Sequence, residues 1–212
     1  LLKEGADLKF RIDHSGSRWI IVSALQYEKI KVIRKDLANL EKIILLDQRE
    51  TYDEDEIFMG RIRNSGGEYL KDNHEKFMER VNSVGPDDYA NISYTSGTTA
   101  DPKAIILSHM NYTANIEQTL TLMDVPEWWT TLLILPWDHS FAHTVGIYIM
   151  MATGASLAAV QSGKSYLDSI KNIPANIREI RPVFLLSAPA LAKNFRKGIE
   201  KSIKEKGPVI EK

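Results

Sequence analysis

The chain has 212 residues, 43% of them hydrophobic, enough for one large domain or two small ones around a buried core. Its 27 basic and 28 acidic residues leave a net charge of −1, which argues against a nucleic-acid surface; with no cysteine it has no disulfides, thiolate metal sites or cysteine nucleophiles. No stretch reaches the roughly 18 uninterrupted apolar residues of a membrane span; the nearest, 145–159, contains Thr153, Gly154 and Ser156 and reads as a buried helix followed by a strand.

In chain order, the pattern predicts a short helix over 6–14 and a strand over 19–22. A helix over 26–40 follows, with Ile30, Ile33, Leu37 and Leu40 on one face, then a strand over 42–46 ending at Asp47. The acidic run 53–56 reads as a solvated first helix turn, and 57–64 and 74–81 as helices around a Gly66-Gly67 turn. Gly85-Pro86-Asp87-Asp88 marks a break that divides the chain into an α/β segment over 1–85 and a second over 86–212. The second carries a strand over 89–94, which reads as buried, and another over 105–107, then a helix over 109–123, a strand over 131–135 and a helix over 141–152. A strand over 156–160, a helix over 166–180, a strand over 183–186 and a helix over 189–203 complete it. This alternation predicts an α/β fold: a layered, largely parallel sheet flanked by helices. The N-terminus has neither an initiator Met nor a signal-peptide pattern, and both ends read as cuts within a longer protein.

The most informative segment is 94–104, Tyr-Thr-Ser-Gly-Thr-Thr-Ala-Asp-Pro-Lys-Ala. Between two strands it places four hydroxyl side chains (Thr95, Ser96, Thr98, Thr99), one glycine (Gly97) and a lysine, Lys103, fixed behind Pro102. Exposed backbone N–H groups, hydroxyl donors and one cation are the parts needed to hold a polyphosphate. A plain hairpin turn needs neither so many hydroxyls nor the Pro-Lys pair.

Other motifs fit less well. Residues 158–165 nearly spell a Gly-x-x-x-x-Gly-Lys-Ser phosphate loop, but Ala158 stands where the first glycine belongs. His139 and His143 have the i, i+4 spacing of zinc ligands beside Asp138, but Ser140 replaces the glutamate of that motif and no third ligand is evident. Ser140 lacks the glycines of a hydrolase nucleophile elbow.

Segment 94–104 resembles the signature of the AMP-forming acyl-adenylating enzymes, Tyr/Phe-Thr-Ser-Gly-Thr-Thr-Gly-x-Pro-Lys-Gly. It matches at Tyr94 to Thr99, Pro102 and Lys103 and departs at Ala100 and Ala104, where the family usually has glycine. The block Leu135-Pro136-Trp137-Asp138-His139-Ser140-Phe141-Ala142-His143 is similar to the family's second signature, which lines the acyl and adenylate pocket. Residues 176–191 resemble a stretch of the long-chain fatty-acid–CoA ligases, and 6–22 the helix-strand unit upstream of the phosphate loop.

The resemblance implies part of an acyl-CoA synthetase N-terminal domain, with ATP, fatty acid and coenzyme A as substrates and Mg²⁺ as cofactor. It implies that Thr95, Ser96, Gly97, Thr98 and Thr99 grip the β- and γ-phosphates, that Thr95 supports Mg²⁺, and that Lys103 supplies positive charge. It places His139 near the carboxylate or α-phosphate, with Trp137 and Phe141 as pocket walls; His143 reads as a helix-face histidine satisfied by a neighbour. The magnesium-binding Tyr-Gly-x-Thr-Glu segment does not occur in these residues, and the mobile C-terminal domain of the family is expected beyond them. The chain alone is therefore expected to be inactive. A carrier-protein acceptor and a non-catalytic nucleotide-binding homologue stand as alternatives. Cytoplasmic location is expected; peripheral membrane contact and homo-oligomerisation are left open.

Overall fold

The computed structural model describes residues 5–95, 102–137, 139–163, 166–186 and 189–205. It comprises two compact units, Leu1–His109 and Met110–Lys212, each with its own parallel sheet.

In the first unit, helix α1 (Gly5–His14) precedes strand β1 (Trp19–Val22), helix α2 (Ala24–Ile33), a 3₁₀ turn (Arg34–Asp36) and strand β2 (Lys42–Leu45). Strand β3 (Glu56–Phe58) completes a parallel sheet of order β1-β2-β3, with Ile20 beside Ile43 and Ile44 beside Ile57. Leu8 and Ile12 of α1, Tyr27, Ile30 and Ile33 of α2, and Ile43 and Leu45 of β2 form one apolar cluster. The α2 helix stops short of the predicted 26–40. Within the tightened turn the Arg34 guanidinium donates to the Leu37 carbonyl at 3.2 Å, and it pairs with Asp55, just before β3, at 2.6 Å; Leu37 and Leu40 still reach the core, from a loop.

The acidic run 53–56 is not a helix start. Asp53 to Asp55 turn into β3, and Glu56 is buried in the sheet beside Ile43. Its carboxylate accepts the Tyr27 phenol and, at 3.0 Å, the Asp53 backbone N–H. Burial first, and then the bond to Glu56, push the Tyr27 hydroxyl above its ordinary range, while Arg49, stacked 4.2 Å over the ring, opposes this.

Nor do Gly66 and Gly67 make a turn. Helix α3 (Met59–Asn82) runs through both, and its one departure from helical geometry is at Asn73, φ −131° and ψ 28°. There the side chain donates to the Tyr69 carbonyl at 3.0 Å, a local alternative to the helical ladder.

Strand β4 (Tyr89–Thr95) and strand β5 (Lys103–Ser108) form an antiparallel hairpin after the Gly85–Asp88 turn. Contrary to the buried strand expected over 89–94, the residues of β4 are exposed or half-buried, because the hairpin is a sheet of only two strands among the described residues.

Helix α4 (His109–Leu122) leads into the second unit. There strand β6 (Thr130–Leu133) lies between β7 (Ser156–Ala159) and β8 (Phe184–Leu186), all parallel. As the central strand of a parallel sheet, β6 buries Thr131, Leu132 and Leu133 completely or nearly so. A π-helix (Ala142–Tyr148) continues into α5 (Ile149–Thr153), which ends at Gly154 in the left-handed conformation, φ 74°. Gly146 permits the close approach to β6: a Cβ there would lie 2.7 Å from Leu133 Cδ1. Val125, Val145, Ile149, Met150 and Leu186 form the core. Helices α6 (Tyr166–Ile180) and α7 (Pro189–Glu205) follow.

Candidate functional site

The polyphosphate motif is carried by the β4–β5 hairpin. Thr95 closes β4, Lys103 opens β5, and the two are directly paired in register. Directly paired residues project from the same face of a hairpin. A hydroxyl and a cation, both exposed, therefore stand side by side at its mouth, and no ion pair of Lys103 occurs among the described residues. Ser96, Gly97, Thr98 and Thr99 lie outside the described residues, as does Ala100. Ala104 sits within β5 opposite Tyr94 and has no positive φ, so alanine is accommodated there without backbone strain.

Tyr94, matched in the motif but given no role by sequence reasoning, anchors the hairpin. Its hydroxyl lies 3.0 Å from His14 Nδ1 and 3.3 Å from the Arg11 carbonyl, and the Arg11 guanidinium stands 5.4 Å from its ring centre. These contacts tie the last turn of α1 to the strand that leads into the motif at 94–104. They are separated by about eighty positions, and no local pattern in the sequence announces them.

The segment 135–143 belongs to the second unit. His139 caps the helix that begins at Ser140: its carbonyl accepts N–H bonds from Ala142 and His143 at 2.9 and 3.2 Å. Its ring Nδ1 accepts the Phe141 N–H at 3.2 Å. An imidazole whose Nδ1 is an acceptor carries its proton on Nε2. His139 is exposed, as are Trp137 and Phe141 at 51% and 45%. Asp138 lies outside the described residues.

His143 has the neighbour expected of it, the Tyr112 hydroxyl 3.4 Å from Nδ1. Tyr112 was not singled out from sequence, because its partner lies thirty-one residues away on another element. Of the near-miss phosphate loop over 158–165, Lys164 and Ser165 fall outside the described residues. The structure thus brings Thr95 together with Lys103, and His139 together with Phe141, in separate units.

For polyphosphate, this chemistry fits: a hydroxyl donor and a cation with no ion pair among the described residues share one face. For Mg²⁺ the described residues of the hairpin mouth offer the Thr95 hydroxyl, whereas the ion is normally held through carboxylates and substrate phosphates.

Residues 4–208 match the family described as AMP-binding enzyme. Long-chain-fatty-acid–CoA ligase 5 of Rattus norvegicus is 28% identical over 177 residues, 76% of this chain and 23% of the rat protein. Among solved structures, the anthranilate CoA ligase AuaEII in complex with anthranoyl-AMP gives a TM-score of 0.71 at 19% identity, over 89% of this chain and 34% of that one. The long-chain-fatty-acid-CoA ligase FadD1 from Archaeoglobus fulgidus gives 0.68 at 17% identity, over 95% and 36%. At such identities the structural likeness speaks for the fold. The chain spans between 16% and 27% of the length of the curated relatives it matches.

Proposed function

The chain belongs to the AMP-binding enzyme family, and we propose that it is the phosphate-gripping part of a ligase that joins long-chain fatty acids to coenzyme A. In this reading the segments 1–85 and 86–212 are portions of one larger N-terminal domain. The observation that carries it is the pairing of Thr95 with Lys103 at the mouth of a hairpin whose loop spells the adenylating signature.

The reaction has two steps. A carboxylate oxygen attacks the α-phosphorus of ATP, forming a mixed anhydride as the bond to pyrophosphate breaks. The sulfur of coenzyme A then attacks the acyl carbon, AMP leaves, and the thiol proton passes to solvent.

Charge must be balanced on the departing pyrophosphate, and preorganised donors achieve this without reorganising during the reaction. Lys103 supplies the cation, held by its place at the start of β5. Thr95 offers a hydroxyl from the facing strand, and Ser96, Gly97, Thr98 and Thr99 complete the grip with N–H and hydroxyl donors. His139, with Nδ1 engaged by the Phe141 amide, presents Nε2–H to a carboxylate or phosphate oxygen, and Trp137 and Phe141 supply apolar surface for the acyl group. Bound Mg²⁺, with Thr95 among its supports, would neutralise phosphate charge. The preference for long chains rests on the named relatives and on the segment 176–191. The proposed setting is cytoplasmic, with peripheral membrane contact and self-association open to test.

The decisive measurement is ATP–pyrophosphate exchange by the complete protein across a panel of carboxylic acids, followed by thioester formation with coenzyme A. Exchange stimulated by long-chain acids and completed by coenzyme A is expected. Exchange with no thioester would indicate a different acceptor, such as a carrier-protein thiol; no exchange with any acid would overturn the reading and favour a non-catalytic nucleotide-binding role.

A further inference from the structure

The π-helix beside the pocket segment is held in its register by a cluster that the proposed reaction does not use. Such helices account for well under 1% of residues in globular proteins and occur frequently at functional sites. This one spans Ala142–Tyr148, directly after His139 and Phe141, and the Ile149 N–H reaches back five residues to the Thr144 carbonyl.

His143 and Tyr148 are also five residues apart. Around an α-helix of 3.6 residues per turn they would point about 140° apart. The wider turn instead brings their rings to 6.2 Å at 62°. Both meet Tyr112, a buried residue of α4: its ring lies 4.9 Å from Tyr148, edge to face, and 6.3 Å from His143, with its hydroxyl 3.4 Å from His143 Nδ1. Three side chains from two elements thus favour the wide turn over the α-helical one. Within the turn Val145, and downstream of it Ile149 and Met150, are fixed in the core. Removing the wide turn would rotate everything upstream of it by one residue position, about 100°. The upstream residues are Phe141 and His139.

We propose that His143, clamped between Tyr112 and Tyr148, is a positioning residue: the trio holds the π turn that aims His139 and Phe141, and so governs recognition of the carboxylic-acid substrate. The part concerning substrate rests on reading 135–143 as the acyl pocket; the part concerning helical register does not.

The test uses the complete protein with His143→Leu, which removes the ring and its nitrogen, and His143→Asn, which keeps an acceptor near the Nδ1 position. His143→Leu should raise KM for the acid about tenfold, the size expected from losing one ring contact and one hydrogen bond. KM for ATP should stay unchanged, and His143→Asn should recover most of the loss. Amide hydrogen exchange over 142–149 should quicken in His143→Leu, while that of β6 should not. Should His143→Leu fail to fold, Tyr112→Phe, which keeps the ring and deletes only the hydroxyl, is expected to show the same pattern at smaller size. An unchanged KM for the acid, or a parallel loss in every kinetic constant, would overturn the proposal. If the wild-type protein shows no acid-dependent exchange, the proposed function fails, and amide protection still decides the clamp: equal protection over 142–149 in wild type and variant overturns it.

Discussion

Two residues show how differently a polar side chain can serve this chain. Lys103 is exposed at a strand end, and no ion pair of it occurs among the described residues, so it contributes little to the fold. Losing one charge-assisted contact to a transition state costs a few kcal/mol, a hundredfold or more in rate. Lys103→Ala in the complete protein should therefore slow adenylation about a hundredfold or more with no fall in melting temperature; equal rates would remove Lys103 from the site. Tyr27 is the reverse case, buried and donating to buried Glu56. Tyr27→Phe leaves that carboxylate one donor short, which should cost about 1–3 kcal/mol in urea unfolding. The Tyr27 hydroxyl titrates above its unfolded value of 10.0 because the fold favours its neutral form. Its contribution is thus intact below pH 10 and is lost as pH rises through the folded value. The wild-type chain should lose stability on that alkaline limb, and the phenylalanine variant should lack that component; identical alkaline profiles would sink the assignment.

At the scale of elements, glycine has opposite meanings in two helices. Gly66 and Gly67 lie inside α3 without positive φ, and a Cβ at either would meet nothing within 4 Å. Their replacement by alanine should raise helix stability by about 0.5–1 kcal/mol each, by reducing the freedom of the unfolded chain. A calorimetric scan of the double variant checks this, and a lower melting temperature would show a packing duty for these positions. Gly146 sits where the π-helix meets β6, and a Cβ would lie 2.7 Å from Leu133 Cδ1. Gly146→Ala should destabilise by about 1–3 kcal/mol, the usual size of overpacking in a close-packed core. Unchanged stability would mean that Leu133, itself nearly fully buried, can shift aside.

At the scale of the whole molecule, the share of its relatives that the chain spans decides what it is expected to do alone. The family match covers residues 4–208, yet the chain spans between 16% and 27% of its curated relatives' lengths. In the proposed reading it holds the phosphate hairpin and a segment of the acyl pocket, while a Tyr-Gly-x-Thr-Glu segment does not occur in it. The proposed catalysis depends on holding both reactants in attack geometry, which a partial set of binding residues does not achieve. The purified 212-residue chain should therefore bind ATP weakly and form no acyl-CoA from ATP, palmitate and coenzyme A. Robust thioester synthesis by this chain would overturn the prediction.

Local pattern sufficed for a good deal. The alternation of helix-period and strand-like runs pointed to the α/β layering, since periodicity is written in neighbouring residues. The composition of 94–104 pointed to a polyphosphate, because hydroxyls, a glycine and a lysine stand within one short loop; its resemblance to the adenylating signature pointed to the family, which the match over residues 4–208 shows. What local pattern could not carry is long-range partnership. Glu56 looked like a solvated helix start until its partners Tyr27 and Ile43 were in place. Gly66-Gly67 looked like a turn, but α3 continues through both. The anchoring of Tyr94 by His14 and the clamp of Tyr112 on His143 join residues eighty and thirty-one positions apart. A buried charge becomes tolerable, and a rare helical register becomes the preferred one, only when side chains distant in sequence supply the hydrogen bonds and ring contacts. Those contacts exist in the folded chain and leave no periodic trace along it.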